Sequence, residues 1–154
     1  MRLTHHTDYS LRTLIYLAVR PDHLISVGEV AEAYGLSRNH LMKVANNLAA
    51  GGYVQAVRGN RGGIRLARPP AEINIGAVVR YTEPDMNLVE CFCPGGACRI
   101  ESACLLRSAL RSALRAFLDV LDGYSLGHLL QSRPLLEELL SASAISTTPS
   151  LRIL

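Results

Sequence analysis

Two capped, amphipathic segments joined by a glycine-containing turn constrain the fold of this chain more than any other feature. The segment Ser26–Glu29 has the pattern of a capping box, in which the Ser hydroxyl and the Glu carboxylate satisfy free amides at a helix start. Gly35 and Leu36 then form a tight turn, and Ser37 is placed to cap a third helix. A helix, a turn and a second helix in so short a span are typical of the helix-turn-helix motif.

A further helix precedes this unit, and a β-hairpin follows it. Apolar residues at helical spacing predict a helix from Thr7 to Arg20, with Thr7 as its N-cap. Strand-like residues 53–57 and 64–67 flank a basic, glycine-rich turn in which Gly62 and Gly63 would permit positive φ and close approach of the main chain. The sequence therefore predicts a mainly α fold with a small β-wing, a winged helix-turn-helix domain over residues 1–70.

The remaining residues predict three further segments. Residues 71–103 contain a short helix (73–82) and an irregular loop rich in cysteine, and residues 104–131 contain a long helix and a following turn. The long helix has a broad apolar stripe that needs burial, and in so small a chain a second copy of the same helix is the natural partner. Residues 132–154 are expected to be a partly disordered C-terminal tail.

The basic residues are concentrated in the N-terminal half. Residues 1–68 contain nine Lys and Arg against four Asp and Glu, a balance of +5, whereas residues 69–154 contain seven against nine, a balance of −2. A basic half is the footprint expected of a surface that binds a polyanion. The count alone is equally compatible with ordinary solvated charge.

The third helix should turn its polar residues outward, because Leu41, Val44 and Leu48 occupy its inner face. Arg and Asn reach base edges in the major groove, whereas Lys and His mostly contact phosphate. The predicted contacts with double-stranded DNA, on this helix and on the wing, are Arg38, Asn39, His40, Lys43, Asn47, Arg58, Asn60, Arg61 and Arg65. The alternative is that these residues only keep the helix soluble, but the combination of motifs favours an operator-binding surface.

All four cysteines lie within one short segment: Cys91, Cys93, Cys98 and Cys104. Their spacing does not match the two close pairs of a structural zinc site, and soft thiolates on a loose, glycine-rich loop suit an iron–sulfur cluster. A zinc site, a disulfide, thiol redox chemistry and simple burial remain as alternatives. The histidines His5, His6, His23 and His128 are expected to be surface or capping residues, because none is at ligand spacing with the cysteines.

Several functional classes are disfavoured by what the sequence lacks. The N-terminus has no apolar stretch of a secretory signal and no segment is long enough to span a bilayer, so a cytoplasmic protein without a membrane partner is expected. A phosphate-cradling loop, a nucleophile elbow and an acid–base pair are all missing, so we do not expect an enzyme.

The sequence resembles the Rrf-type family of winged-helix transcription regulators, and within it the nitric-oxide-sensing repressors. The resemblance covers roughly residues 1 to 130 and is carried by Leu3-Thr4, Thr7–Arg12, Asn39–Val44, Gly52–Val54, Val57–Gly59, Gly62–Leu66, Leu88–Cys91 and Ala103-Cys104. It implies a homodimer with one iron–sulfur cluster per subunit, of the 4Fe–4S rather than the 2Fe–2S type.

The resemblance also implies the ligands of that cluster. Cys91, Cys98 and Cys104 match the three cysteines of the family, and Asp8 matches a residue that supplies an oxygen ligand from the partner subunit. Cys93 departs from the three-cysteine pattern and is a possible substitute for Cys91. The predicted function is a homodimeric repressor whose operator affinity is switched by the cluster in response to nitric oxide. The alternatives are a regulator that senses cluster supply or redox state, and a zinc or thiol redox module.

Overall fold

Six α-helices and one two-stranded sheet form the described part of the chain. The structure is a computed structural model that describes residues 2–59, 62–95, 98–100 and 103–141. The elements are α1 (His5–Val19), α2 (Val27–Tyr34), α3 (Arg38–Ala50), β1 (Val54–Val57), β2 (Gly63–Leu66), α4 (Ile75–Thr82), α5 (Leu105–Asp122) and α6 (Arg133–Ser141). Short 3-10 turns lie at Pro70–Glu72, Glu90–Phe92 and His128–Leu130.

Helix α1 begins earlier than the sequence predicted. Its N-cap is Thr4, whose hydroxyl accepts a hydrogen bond from the Thr7 backbone N–H, so Thr7 lies inside the helix and is not its cap. The Thr4 backbone N–H in turn donates to Glu83 Oε1 at 2.7 Å. A carboxylate 79 residues away thus fixes where the helix starts, and no local pattern could reveal this.

The predicted helix-turn-helix is present as α2, a turn and α3. The capping box is complete: Glu29 N–H donates to Ser26 Oγ at 3.1 Å and Ser26 N–H donates to Glu29 Oε2 at 2.7 Å. Gly35 ends α2 with a φ of 62°, a left-handed conformation that favours glycine. Ser37 is the N-cap of α3, but its hydroxyl accepts no capping hydrogen bond.

The wing is an antiparallel pair in which Val54 lies opposite Leu66 and Val57 opposite Gly63. Ile25, just before α2, adds a single bridge to this hairpin through reciprocal backbone hydrogen bonds with Ile64. A Cβ on Gly63 would lie 2.7 Å from the Ile25 carbonyl oxygen, so glycine permits the close approach. The positive φ that Gly62 and Gly63 would permit is not adopted by either; among the described wing glycines it occurs at Gly59 (122°).

The core is formed where α1, α2, α3 and the wing meet α4. Its fully buried large side chains include Leu14, Leu17, Leu41, Leu48 and Leu126. Burying each such leucine contributes roughly 1.5–3 kcal/mol relative to leaving it exposed. This core holds α3 against α1, α2 and β1, which fixes the position of the predicted DNA-reading helix.

Helix α5 is anchored at its C-terminal end. Arg80 forms an ion pair with Asp122, with Arg80 Nη1 2.8 Å from Asp122 Oδ1, and the Asn74 amide donates to the Asp122 carbonyl at 2.7 Å. No side chain of α5 is buried within the described protomer. None of the helices in the described ranges is both long and apolar enough to cross a membrane.

The segment predicted as a C-terminal tail begins with a packed helix, α6. Arg133 Nη2 donates to the Val19 carbonyl at 3.0 Å, Arg20 Nη2 donates to Ser141 Oγ at 3.2 Å, and Leu140 packs against the core. Residues 133–141 are therefore ordered by contacts with α1. The rest of the predicted tail, residues 142–154, lies outside the described residues.

Candidate nucleic-acid interface and metal centre

Helix α3 separates an apolar inner face from a polar outer face. Leu41, Val44 and Leu48 are at most 1% exposed. Four of the predicted contact residues lie on the exposed side of the helix: Arg38, Asn39, His40 and Lys43. Two donors able to read bases and two groups able to meet phosphate thus share one solvent-facing surface.

Asn47 is placed differently from these four residues. Its side chain is half-buried and faces α1, where His6 Nε2 donates to Asn47 Oδ1 at 3.1 Å. Its main-chain carbonyl accepts from the Tyr81 hydroxyl of α4 at 2.9 Å. The outward position predicted for Asn47 is therefore not what the structure has, and its role as a DNA contact stays a prediction.

The wing carries the remaining predicted contacts. Arg58 and Arg65 are exposed, and Arg65 Nε donates to Gln55 Oε1 at 3.0 Å across the two strands. That bond holds the Arg65 side chain toward the neighbouring strand. Asn60 and Arg61, predicted at the tip of the wing, lie outside the described residues.

A small cavity between α1 and α3, of about 150 Å³, was not anticipated from the sequence. It opens beside the exposed face of α3 and is lined by His5, His6, Tyr9, His40, Lys43 and Val44. The Tyr9 ring contacts both the His5 ring and the His40 ring, with centroids 5.7 and 6.4 Å away. These contacts bring the first turn of α1 next to the predicted DNA-reading face.

The four cysteines are free thiols with different exposure. Cys91 and Cys104 are half-buried, whereas Cys93 and Cys98 are exposed. Cys91 lies in the 3-10 turn Glu90–Phe92, and Cys104 is the N-cap of α5. The cysteine segment thus connects α4 to the start of α5, whose far end is anchored to α4 through Asp122.

Two of the three predicted thiol ligands share a cavity. Cys91 and Cys98 line a space of about 320 Å³ together with Val89 and Glu90. In the ranges that the structure describes, no three His, Cys, Asp or Glu side chains converge on a position that would suit a single metal ion. An iron–sulfur cluster is larger than one ion and takes its thiolates from a longer loop, so the donor set and the cavity fit a cluster better than zinc.

Asp8 lies in the first turn of α1 and is half-buried. Its carboxylate oxygen Oδ1 is 3.0 Å from Arg12 Nε. The Arg12 guanidinium also lies 5.8 Å from the centre of the Tyr34 ring, and burial raises the pKa of the Tyr34 phenol above its ordinary value. The tyrosine is therefore neutral at physiological pH, and Asp8 is the acidic partner of Arg12 at this position.

Three residues that hold the site together were missed from the sequence. They are His6, Tyr81 and Glu83, which link α1, α3 and α4 through hydrogen bonds. His6 was expected to be a surface or capping residue; His128 does cap locally, since its Nδ1 accepts from Ser125 N–H at 3.1 Å. The sequence signal for Glu83 is weak, because its partners are distant along the chain. The sequence shows only that an acidic residue follows the last turn of α4.

Comparison with known proteins gives consistent matches along most of the chain. The chain is 50% identical over 135 residues to the HTH-type transcriptional regulator NsrR of Bacillus subtilis. This match covers 86% of the chain and 92% of that protein. It is 47% identical over 143 residues to NsrR of Bacillus licheniformis, and this match covers 92% of the chain and all of that protein.

The fold matches that of a solved regulator. The oxidized form of Staphylococcus aureus CymR superposes with a TM-score of 0.68 at 29% identity, over 85% of this chain and 97% of that chain. The predicted winged-helix fold is confirmed by this likeness. The relatives are transcriptional regulators, which also confirms the prediction that the chain is not an enzyme.

The family model for Rrf2, described as an iron-dependent transcriptional regulator, matches residues 3–132, including the helix-turn-helix, the wing and the cysteine segment. The resemblance noted in the sequence is thereby confirmed, and the chain belongs to the Rrf2 family of DNA-binding transcriptional regulators.

Proposed function

We propose that the chain is a homodimeric repressor whose affinity for operator DNA is switched by an iron–sulfur cluster in response to nitric oxide. The observation that carries the proposal is the cavity shared by Cys91 and Cys98. It occurs in a chain that is 50% identical over 135 residues to NsrR of Bacillus subtilis. In sequence the thiols lie between α4, which packs on α1, and α5, so a ligand held there is connected through α4 to the DNA-binding domain.

The exposed polar face of α3 supports the DNA-binding part of the proposal. Arg38 and Asn39 at the N-terminal end of α3 can read base edges, while His40 and Lys43 can meet phosphate. On the wing, Arg58 and Arg65 extend the basic surface, with Asn60 and Arg61 assigned to the same surface from the sequence. Asn47 is the predicted contact with least support, because its side chain is bonded to His6.

The exposed apolar residues of α5 support the homodimer. Leu105 is 85%, Leu106 64% and Val120 62% exposed in the protomer. An 18-residue helix with such a face needs a partner, and the same helix of a second copy offers a self-complementary surface. Two winged domains held by such an interface can read two half-sites about one turn of DNA apart.

The proposed ligands are Cys91, Cys98, Cys104 and Asp8 of the partner subunit, with Cys93 as a possible substitute for Cys91. A 4Fe–4S cluster is favoured over 2Fe–2S. When bound, the cluster supplies iron with which nitric oxide reacts. A carboxylate is a hard ligand for a site of soft thiolates, so its bond to iron is more easily exchanged than a thiolate bond.

The switch then follows from where Asp8 lies. In the proposed dimer, Asp8 of the partner subunit would tie the first turn of one α1 to the cysteine segment of the other protomer. Loss of this bond would release that first turn and change the distance between the two copies of α3. A coupling of about 1–3 kcal/mol between the two sites changes DNA affinity by roughly 5- to 150-fold.

The test begins with anaerobic purification and assay of iron and acid-labile sulfide. A DNA duplex is then selected from a random library by the cluster-loaded protein, and its affinity is measured for the loaded form, the cluster-free form and the loaded form after nitric oxide. The proposal expects iron and sulfide in every dimer and loss of binding in the latter two forms. Equal affinity of the loaded and cluster-free forms would overturn the switch.

Other signals and metals are separated by the same assay. Release of DNA by oxygen or by a reductant, but not by nitric oxide, would assign the protein to redox sensing. Zinc at one ion per chain without sulfide would replace the cluster by a zinc module, and either result would contradict the proposal.

A further inference from the structure

Asn47, near the end of α3, is bonded to two other helices at once. His6 Nε2 of α1 donates to its side-chain oxygen at 3.1 Å, and the Tyr81 hydroxyl of α4 donates to its main-chain oxygen at 2.9 Å. The same main-chain oxygen accepts the Gly51 N–H at 2.9 Å, which closes the last turn of α3. We call His6, Asn47 and Tyr81 the Asn47 junction.

A second link joins α4 directly to α1. Glu83, the C-cap residue of α4, accepts the Thr4 backbone N–H at 2.7 Å and the Thr4 hydroxyl at 3.2 Å. Hydrogen bonds thus run from α1 to α3, from α3 to α4, and from α4 back to α1. Because the three links form a closed circuit, a movement of α4 or of the first turn of α1 changes the strain on α3.

The ring of Tyr81 is packed closely against the end of α3. A Cβ built on Gly51 would lie 2.6 Å from Tyr81 Cε1 and Cζ, closer than real Cβ atoms approach other atoms. The Tyr53 ring also packs against the Tyr81 ring, with the two centroids 5.5 Å apart. The hydrogen bond to Asn47 is therefore accompanied by close contact between the Tyr81 ring and the end of α3. Through this contact, a displacement of Tyr81 toward α3 pushes on the end of that helix.

Both ends of the circuit are connected along the chain to proposed cluster ligands. His6 lies two residues before Asp8 in the first turn of α1. Cys91 follows the end of α4 by nine residues, and Glu83 is the first residue of that connection. The Asn47 junction thus joins the helix that the proposed function assigns to DNA to the two elements, α1 and α4, that lead along the chain to the proposed metal ligands.

We propose that Asn47 is the junction through which the cysteine segment and the first turn of α1 set the position of α3, with His6 and Tyr81 as positioning residues. This inference rests on the proposed function. In it, Asn47 acts through its bonds to α1 and α4 and not through contact with a base. Loss of one such bond alters the difference in DNA affinity between the cluster-loaded and cluster-free forms.

The main test uses Tyr81→Phe, which removes one hydroxyl and keeps the ring against Gly51. The measured quantity is the ratio of the Kd of the cluster-free dimer to the Kd of the cluster-loaded dimer for the selected duplex. We expect Tyr81→Phe to lower this ratio by about three- to tenfold. His6→Phe should lower it similarly, and the double variant should add little, because both bonds act on the same residue.

The matched control is Tyr124→Phe, which removes a hydroxyl from a half-exposed tyrosine whose ring packs on His128, outside the junction. Its ratio should equal that of the wild type. A second readout needs no cluster: hydrogen exchange of the amides at residues 49–51 in the cluster-free protein. These amides should exchange faster in Tyr81→Phe than in Tyr124→Phe, because the last turn of α3 has lost a bond.

The outcomes separate this inference from the proposed function. An unchanged ratio in Tyr81→Phe, with a wild-type ratio well above one, overturns the inference alone. Equal weakening of both Kd values in Tyr81→Phe also overturns it, since that is the signature of a structural or direct DNA effect. A wild-type ratio of one overturns both the inference and the proposed function.

Discussion

Arg12 and Asp8 form an ion pair one turn apart on α1, with Arg12 Nε 3.0 Å from Asp8 Oδ1. The two side chains are 43% and 41% exposed, so the pair is well solvated. Exposed pairs at this helical spacing contribute only about 0.3–0.5 kcal/mol. Asp8, which the proposed function assigns to the partner's metal, can therefore give up its ion pair with Arg12 at little cost in free energy.

Removing this carboxylate should separate cluster assembly from the response to nitric oxide. In Asp8→Ala the three thiols remain, so we expect iron and sulfide contents near those of the wild type and a folding stability within about 0.5 kcal/mol of it. The loaded and cluster-free forms should then bind the selected duplex with similar affinity. Asp22→Ala, which removes an exposed carboxylate after α1, is the control and should keep the full difference. An unchanged response in Asp8→Ala would remove Asp8 from the switch.

The two neighbouring cysteines should differ in their importance for the cluster. Cys91 is half-buried and lines the cavity with Cys98, whereas Cys93 is exposed, two residues further along the chain. We expect Cys91→Ser to lose iron, sulfide and visible absorption after anaerobic purification, and Cys93→Ser to keep them. Each variant is the control for the other, because the chemical change is the same. The opposite result would assign the first ligand to Cys93.

Local patterns were sufficient to predict the helix-turn-helix, and the reason is visible at Ser26. The capping box joins residues three positions apart, so every partner in it is present in a short stretch of sequence. The start of α1 was predicted wrongly because Thr4 and Thr7 are both good caps. Glu83, far along the chain, decides between them by bonding Thr4.

The same distinction explains α6 and Asn47. Helical periodicity turns Asn47 outward, but His6, 41 residues away, draws its side chain toward α1. Residues 132–154 were expected to be a partly disordered tail, yet Arg133 donates to the carbonyl of Val19 at the end of α1. The cysteine spacing pointed to a metal site, whereas the sharing of a cavity by Cys91 and Cys98 depends on the path of the loop between them.

The apolar face of α5 should control the oligomeric state. Leu106 is 64% exposed in the protomer, and in the proposed dimer it is buried against the second copy. Leu106→Glu places a charge in that interface, and burying an unpaired charge costs several kcal/mol. We expect a monomer by sedimentation at micromolar concentration, with greatly weakened DNA binding. The Ser108→Glu variant, on the polar side of the same helix, should remain dimeric. The assignment would be contradicted if both variants were dimeric or both were monomeric.

Two residues on α3 should weaken DNA binding in different ways. Arg38→Ala removes a predicted base contact and should cost about 1–3 kcal/mol while relaxing sequence preference. Lys43→Ala removes a predicted phosphate contact, so it should weaken all duplexes alike and reduce the slope of log K against log salt by about one per contact. Titrations at several salt concentrations, with the selected duplex and a scrambled one, measure both effects. Identical salt slopes and preferences in the two variants would refute this division of roles.

Adding one methyl group at Gly51 should destabilise the domain, although the backbone at this position suits alanine. Gly51 has φ −77° and ψ −2°, which alanine adopts without strain, so the backbone is not the obstacle. Its new Cβ would meet the Tyr81 ring at 2.6 Å and Tyr53 Cδ2 at 3.0 Å, and Tyr81 must move away from Asn47 to make room. Because Tyr81 is 39% exposed and its ring can move aside, the expected cost is mainly that of the lost hydrogen bond, roughly 1 kcal/mol.

The measurement is urea denaturation of the cluster-free protein, with Gly28→Ala as the control. At Gly28, inside α2, the nearest atom to a new Cβ is Ser26 Oγ at 3.6 Å, an ordinary contact. Alanine there should raise the free energy of unfolding by about 0.5–1 kcal/mol, because it is the better helix former. Opposite signs for the two substitutions are the expected result. A stabilising Gly51→Ala would mean that Tyr81 does not press on the end of α3, and the ring contact that supports the Asn47 junction would be lost with it.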